Sequence, residues 1–228
     1  MATLIYNSLF CTIVTVLSYV IGVKVFHRFR KGWLNPLYSA TVFILCLLFF
    51  SHISLKSYTS GAGVFSLLLG TATVSLAVPL YKQFHLIKKH LQIILGAVMS
   101  GTLTGVASVV ILTKVFHLNQ EIMASLIPKS VTAPIALSIS QSTGGVPSLT
   151  ILFMVLSAIF SLITGPLLLK YTKVNSKIAK GLALGTSAQA IGANRAFEWG
   201  ELEGAMGSIA MIMSALILTL ISPLMFYI

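Results

Sequence analysis

The chain contains no aspartate. Its 228 residues hold four acids, all glutamate: Glu121, Glu198, Glu201 and Glu203. A Ser-His-Asp triad is thereby excluded, as is a two-metal site built on aspartate, and no glycine-rich loop ends in Lys-Ser/Thr to cradle a phosphate. We expect no enzyme and no cofactor. Charge of either sign is scarce, at 8% of residues, where soluble domains carry about 25%. With 57% hydrophobic residues the chain lacks the polar groups to cover itself in water, so an integral membrane protein is expected. Cysteine is nearly absent. Cys11 and Cys46 both lie in apolar runs, which predicts packing thiols and no disulfide. The five histidines fall near the ends of apolar runs, so interfacial placement is expected and no metal site.

What is present is positive charge, in clusters. The net charge is +11, yet the basic residues do not form a nucleic-acid face. Lys24, Arg28, Arg30 and Lys31 follow the first apolar run, Lys82, Lys88 and Lys89 the third, and Lys170, Lys173, Lys177 and Lys180 the run 148–171. These clusters hold 11 of the 15 basic residues, and the positive-inside rule places them all in the cytoplasm. The first run has no basic residue before it, so it reads as a retained span with its N-terminus outside. A span needs about 20 apolar residues. Six candidates meet that length: 3–26, 36–55, 61–81, 91–116, 148–171 and 203–227. Tyr6, Phe26 and Trp33 suit interfaces, and Tyr81–His90 reads as an amphipathic connector along the membrane.

Two stretches, 119–146 and 176–200, break the pattern. The first contains "IPKSVTAPIALSISQSTGGVPS", with a lysine, three prolines and a Gly-Gly pair among hydroxyl and amide side chains. To bring Lys170–Lys180 back to the cytoplasm, 119–146 must start and finish on one side, as a re-entrant element. The alternative is one broken helix crossing fully, at the cost of the charge bias. The second stretch looks like a copy. Shifted by 57 positions, 130–169 lies without gaps on 187–226, with eight identities in 40 that include Ser130/Ser187 and Ser157/Ser214. An element plus one span crosses once, so its copy is inverted, a recurring build of secondary transporters. A third, fainter echo ends at Pro79.

Non-helical backbone inside a bilayer survives only where protein or a wet cavity satisfies it. Pro134, Gly144, Gly145, Gly185 and Gly192, with Pro79, are therefore expected to break helices or admit close approach around a polar pocket. Ser130, Thr132, Thr186, Ser187, Gln189 and Asn194 are its expected hydrogen-bonding groups, and Ser138, Ser140, Gln141, Ser142 and Thr143 are further candidates. Arg195 offers a planar fork for a carboxylate. It also has structural partners within reach in Glu198, Glu201 and Glu203, which otherwise read as a solvated end. Lys129 is a second charge candidate, or an interfacial anchor.

At "KSVTAPIALSISQSTGGVPSLT" and "GLALGTSAQAIGANRAFEWGELEGAMGSIAM" the chain resembles the LrgB/CidB family of bacterial inner-membrane proteins. One departure is Gln189, where family members often have histidine, so a role needing a titrating imidazole there is in question. The resemblance implies a holin/antiholin-like system that controls murein hydrolase activity and lysis with a small LrgA/CidA-type membrane partner. It also implies carboxylate transport, because a related plastid protein exports glycolate and glycerate and bacterial members are linked to pyruvate uptake.

The expectation is an all-α polytopic membrane protein of the bacterial cytoplasmic membrane. It has six full spans and two re-entrant or broken elements in an inverted repeat. Residues 1–118 form a scaffold-like part and 119–228 an elevator-like transport unit. Its expected function is alternating-access transport of a small 2-hydroxy or 2-oxo monocarboxylate (glycolate, glycerate, pyruvate or lactate class). The rivals are an antiholin-like regulator and a scaffold for the small partner. Further expected partners are the lipid bilayer and a second copy in a dimer, and none is nucleic acid. Proton and sodium both stay open as coupling ions.

Overall fold

The computed structural model describes residues 2–29, 36–75 and 77–223, and within them all side chains except those of 2–7, 37–38, 66–67, 69–70, 72–73 and 79–80. Arg30, Lys31 and Trp33, read above as charge and interface markers, lie outside the described residues, as does the Tyr6 side chain. The described residues are helical throughout, without strands. Contacts divide the chain into two compact units, Met1–Val74 and Ser75–Ile228. The helix 91–115 packs with the second unit.

The first unit contains α1 (Ala2–Phe29), α2 (Pro36–Phe50), α3 (Leu55–Gly61) and most of α4 (Gly63–Ser75). α1 and α2 approach closely at Gly22, where a Cβ would sit 2.8 Å from the Pro36 carbonyl oxygen. Cys11, Val14, Leu48 and Tyr58 form a small core, and the Tyr58 and Thr15 hydroxyls pair at 2.5 Å. The expected span 36–55 ends earlier in the structure. α2 stops after 15 residues, because His52 turns into the left-handed region (φ 52) and Ser54 caps a new helix. Of the stretch 61–81 the structure describes α4 and α5 (Ala77–Lys82), with Leu76 between them outside the described residues. Pro79 sits within α5 rather than at its edge.

In the second unit α5 and α6 (Phe84–Lys89) lead into α7 (Leu91–Val115). Then follow α8 (Gln120–Leu126), a 3-10 turn (Ile127–Ser130), α9 (Ala133–Ser142), α10 (Pro147–Tyr171), α11 (Lys177–Phe197) and α12 (Glu201–Ile221). Among the described residues four helices are long and apolar enough to cross a membrane: Ser8–Phe29 within α1, then α7, α10 and α12. Their burial differs. In the most apolar stretch of α12 61% of residues are buried, against 6% in α10. α12 is thus the central helix of its unit, and α10 turns most of its apolar surface outward.

Small residues make that centre. On α12, Gly207 meets Ala193, and a Cβ on Gly204 would overlap the Phe197 ring. A Cβ on Gly185 would overlap the Gly207 carbonyl, and one on Gly181 the Glu203 carbonyl. Backbones approach this closely only where side chains are absent, which is how helices associate when lipid supplies no hydrophobic drive. Glu203, expected at a solvated end, is instead buried in the first turn of α12, where the helix dipole favours a carboxylate.

Both interrupted stretches are folded back on themselves. In the first, the Val146 N–H donates to Ser125 Oγ at 2.8 Å, and the Thr150 hydroxyl donates to Ser140 Oγ at 2.6 Å. The chain between 125 and 146 therefore leaves and returns to one place. In the second, α11 breaks at Gln189 (φ 54, ψ −137), and a Cβ on Gly192 would overlap the Leu184 carbonyl oxygen. In a straight helix eight residues span about 12 Å, so the arms 177–188 and 190–197 must double back.

Element boundaries recur at the 57-residue offset. Asn119 and Ser176 are both N-caps, accepting from the N–H groups of Ile122 at 2.9 Å and Ala179 at 3.4 Å. First arms start at Gln120 and Lys177, and second arms at 133 and 190.

Candidate functional site

The two breaks meet. The Gln189 side chain donates from Nε2 to the Lys129 carbonyl at 2.8 Å, across 60 residues of chain. Each break frees backbone groups. Around the first, Pro128 leaves helical geometry (φ −81, ψ 17), and Val131 (φ −120, ψ 169) and Thr132 (φ −65, ψ 150) are extended. The second forces a glutamine into the left-handed region, which costs on the order of 1–3 kcal/mol and persists where surrounding structure over-determines it. Gln189 is 7% exposed, and its amide satisfies one of the carbonyls that the first break releases. Gln189→Ala is expected to remove about 1 kcal/mol and loosen both breaks together. Faster amide exchange at both 129–132 and 188–191 measures it.

Beside this junction lies a cavity of about 500 Å³, inside the range of about 300–1,000 Å³ usual for small-molecule sites. α7 contributes Ser100, Gly101, Thr102 and Gly105, the 3-10 turn Lys129 and Ser130, α10 Ser157 and Ser161. α11 contributes Thr186 and Ser187, and α12 contributes Ser214. Lys129 is half-buried and is the one charged residue in the described lining. Among the described residues the single ion pair is Arg195–Glu198, so Lys129 has no carboxylate opposite it.

The hydroxyls divide into committed and free. Thr186 donates to the Leu182 carbonyl at 2.8 Å, Ser214 to the Met211 carbonyl at 3.0 Å, and Ser161 to the Ser187 carbonyl at 3.3 Å. Among the described residues Ser130, Ser157 and Ser187 make no side-chain hydrogen bond. Thr102, 8% exposed on the cavity wall, has a buried Oγ1 without a partner. A buried hydroxyl left unmade costs about 1–3 kcal/mol. The cavity thus gathers one ammonium, three free hydroxyls and one orphan hydroxyl, with no acid in the described lining. Thr102→Val keeps the shape and removes the orphan. It is expected to leave thermal stability unchanged or raised while weakening anion binding about threefold to tenfold, read by thermal melts with and without ligand.

The structure separates the sequence-derived candidates. Lys129, Ser130, Thr186 and Ser187 line the cavity, and Gln189 ties its floor. Thr132 sits at the break with a second unpartnered buried hydroxyl, outside the lining. Arg195 and Asn194 are exposed, beyond the cavity wall. Arg195 takes the alternative partner, Glu198, one turn away on the same arm, because the fold-back at Gln189 carries the second arm past the cavity. Of the hydroxyls after Pro134, Ser140 accepts from Thr150, Ser142 and Thr143 both donate to the Ile139 carbonyl, and Ser138 is exposed outside the lining. Pro134 occupies the first turn of α9 and starts that helix, where its missing N–H is not needed. Gly144 (φ 80) and Gly145 form the turn into α10. Gly185 and Gly192 serve close approach, while the break falls on Gln189.

Sequence reasoning missed the wall from α7 and the pair Ser157/Ser214 as site residues. The signal for the pair was the repeat itself, since both hydroxyl identities in the 57-residue alignment face the cavity. The signal on α7 was the run of small residues from Gly96 to Gly105.

A family model described as the LrgB-like family matches residues 15–228. The chain is 38% identical to the uncharacterized protein YxaC of Bacillus subtilis (strain 168) over 212 residues, 93% of this chain and 92% of that one. It is 35% identical to the antiholin-like protein LrgB of Bacillus mycoides (strain KBAB4) over 216 residues, 94% of each. No solved structure gives a significant match.

Proposed function

This multi-pass chain belongs to the LrgB-like family, and from that premise we propose that it carries small monocarboxylates across the bilayer by alternating access. The observation that supports the reading most is the junction of the two breaks through Gln189 and the Lys129 carbonyl, beside a cavity with one cation and no acid. Lys129 would hold the carboxylate, and Ser130, Ser157, Ser187 and Thr102 would bond its oxygens and a 2-hydroxy or 2-oxo group. The desolvation of a small anion is then offset by one charge-assisted bond and several hydroxyl donors. Six full crossings, the inverted orientation of the two copies, an elevator-like shift and a dimer belong to the same proposal. So does a bacterial cytoplasmic membrane with the N-terminus outside, which the clusters at Lys24–Arg28, Lys82–Lys89 and Lys170–Lys180 support.

The relatives named antiholin-like favour a second reading. In it the chain regulates murein hydrolase activity and lysis together with a small LrgA/CidA-type membrane protein. Counterflow of labelled glycolate or pyruvate in proteoliposomes distinguishes the two. Saturable exchange by the purified chain supports the carrier. An unsaturable leak of unrelated solutes, or activity that returns only with the small partner, supports the second reading. In the same assay Arg195→Ala is expected to keep exchange within about twofold of wild type, because an exposed ion pair is worth only about 0–1 kcal/mol.

A further inference from the structure

The cavity is lined by residues that correspond to one another. The stretch 119–171 contributes six lining residues: Ile127, Lys129, Ser130, Val131, Ser157 and Ser161. Moved by 57 positions, four of these six land on other lining residues: Lys129 on Thr186, Ser130 on Ser187, Ser157 on Ser214 and Ser161 on Leu218. Four corresponding pairs therefore contribute to the cavity, which α7 completes with a wall of its own. Two pairs are identical and hydroxylic. The other two differ, and both differences run the same way, with the charged or polar member in the first half.

The second half is the poorer one. Thr186 commits its hydroxyl to the Leu182 carbonyl at 2.8 Å, and its methyl packs toward α7, where a Cβ on Gly101 would lie 3.2 Å away. Leu218 is 1% exposed and offers no polar atom. Lys129 supplies the one ammonium of the described lining, Thr186 turns a methyl where the corresponding charge would be, and Leu218, packed with Ile127 and Val131, adds no polar atom. A second carboxylate there would be stripped of water without a counter-charge, which is strongly unfavourable. We propose that the Lys129/Thr186 pair sets the charge number of the ligand: it admits one carboxylate, on the Lys129 side, and Thr186 is the residue that rejects dicarboxylates. This inference rests on the monocarboxylate reading above and names the selectivity of the same site.

The correspondence makes a test by transposition. Proteoliposomes with the full chain are assayed for exchange of labelled pyruvate and for its inhibition by malonate, a dianion of similar size. Wild type is expected to prefer pyruvate to malonate by about a hundredfold. Thr186→Lys is expected to reverse or erase that preference. Lys129→Thr alone loses pyruvate exchange, and Lys129→Thr combined with Thr186→Lys regains it, the charge having moved to the corresponding position. If Thr186→Lys does not fold, Ser187→Lys places an ammonium in the same half and reads the same preference. A folded Thr186→Lys or Ser187→Lys protein that exchanges pyruvate with wild-type malonate rejection overturns the inference alone. So does a folded double variant that stays inactive. A wild type without saturable pyruvate exchange removes the monocarboxylate reading, and this inference with it.

Discussion

Lys129→Gln is expected to reduce the apparent affinity for a small monocarboxylate by about 10–100-fold, from a charge-assisted bond of about 1.5–3 kcal/mol. The glutamine is one atom shorter but keeps hydrogen-bonding capacity, so the main change is the loss of charge. Three features make the effect large. Lys129 is the one charged residue in the described lining, it has no carboxylate partner, and its side chain is half-buried beside hydroxyls without partners. Its backbone is fixed independently, because the Lys129 carbonyl accepts from Gln189. The variant should therefore fold normally. Initial rates of labelled pyruvate counterflow against concentration check it, with Arg195→Ala alongside. Loss in the lysine variant and retention in the arginine variant locate the charge at the first break.

Gly192→Val is expected to give the largest loss of stability. A side chain there would overlap the Leu184 carbonyl and approach the Ala188 methyl to 2.8 Å, so the arms 177–188 and 190–197 would no longer double back. Overpacking of this kind costs about 1–3 kcal/mol or more, which lowers the melting midpoint of the detergent-solubilised protein by about 2–12 °C. Gly96→Ala is the control. Nothing lies within 4 Å of a Cβ at that position, and alanine is the better helix former by about 0.5–1 kcal/mol. Its midpoint should stay or rise. Gly185→Ala is expected to behave like Gly192→Val, because its Cβ would overlap the Gly207 carbonyl at the α11–α12 contact.

The sequence made several levels of this legible for a physical reason. Apolar runs of spanning length fix where α1, α7, α10 and α12 lie, since bilayer thickness leaves little choice of length. The polar interruptions marked both folded-back stretches, because freed backbone groups need partners. The repeat identified Ser130/Ser187, which face the cavity. Other features were not legible. Pro134 read as a break, yet proline in a first turn starts a helix, and of the two roles open to Gly185 and Gly192, break or close approach, they take close approach. The bend sits on Gln189, a residue with no intrinsic preference for positive φ. Tertiary contact at Lys129 accompanies that conformation, and a local pattern cannot predict it. Arg195 carried the chemistry suited to a carboxylate, but its position depends on a reversal six residues earlier. The shortness of α2 was hidden because the hydropathy of 36–55 does not reveal the turn at His52 and the new helix capped by Ser54.

The most direct measurement is ligand protection at the two corresponding serines. Ser130→Cys and Ser187→Cys are introduced singly into a chain whose Cys11 and Cys46 have been replaced, and maleimide labelling is followed against pyruvate concentration. One anion chamber shared by the two breaks predicts that both positions are protected, with the same half-saturating concentration as exchange. Protection at only one, or saturable pyruvate exchange with labelling at both positions unaffected, contradicts it.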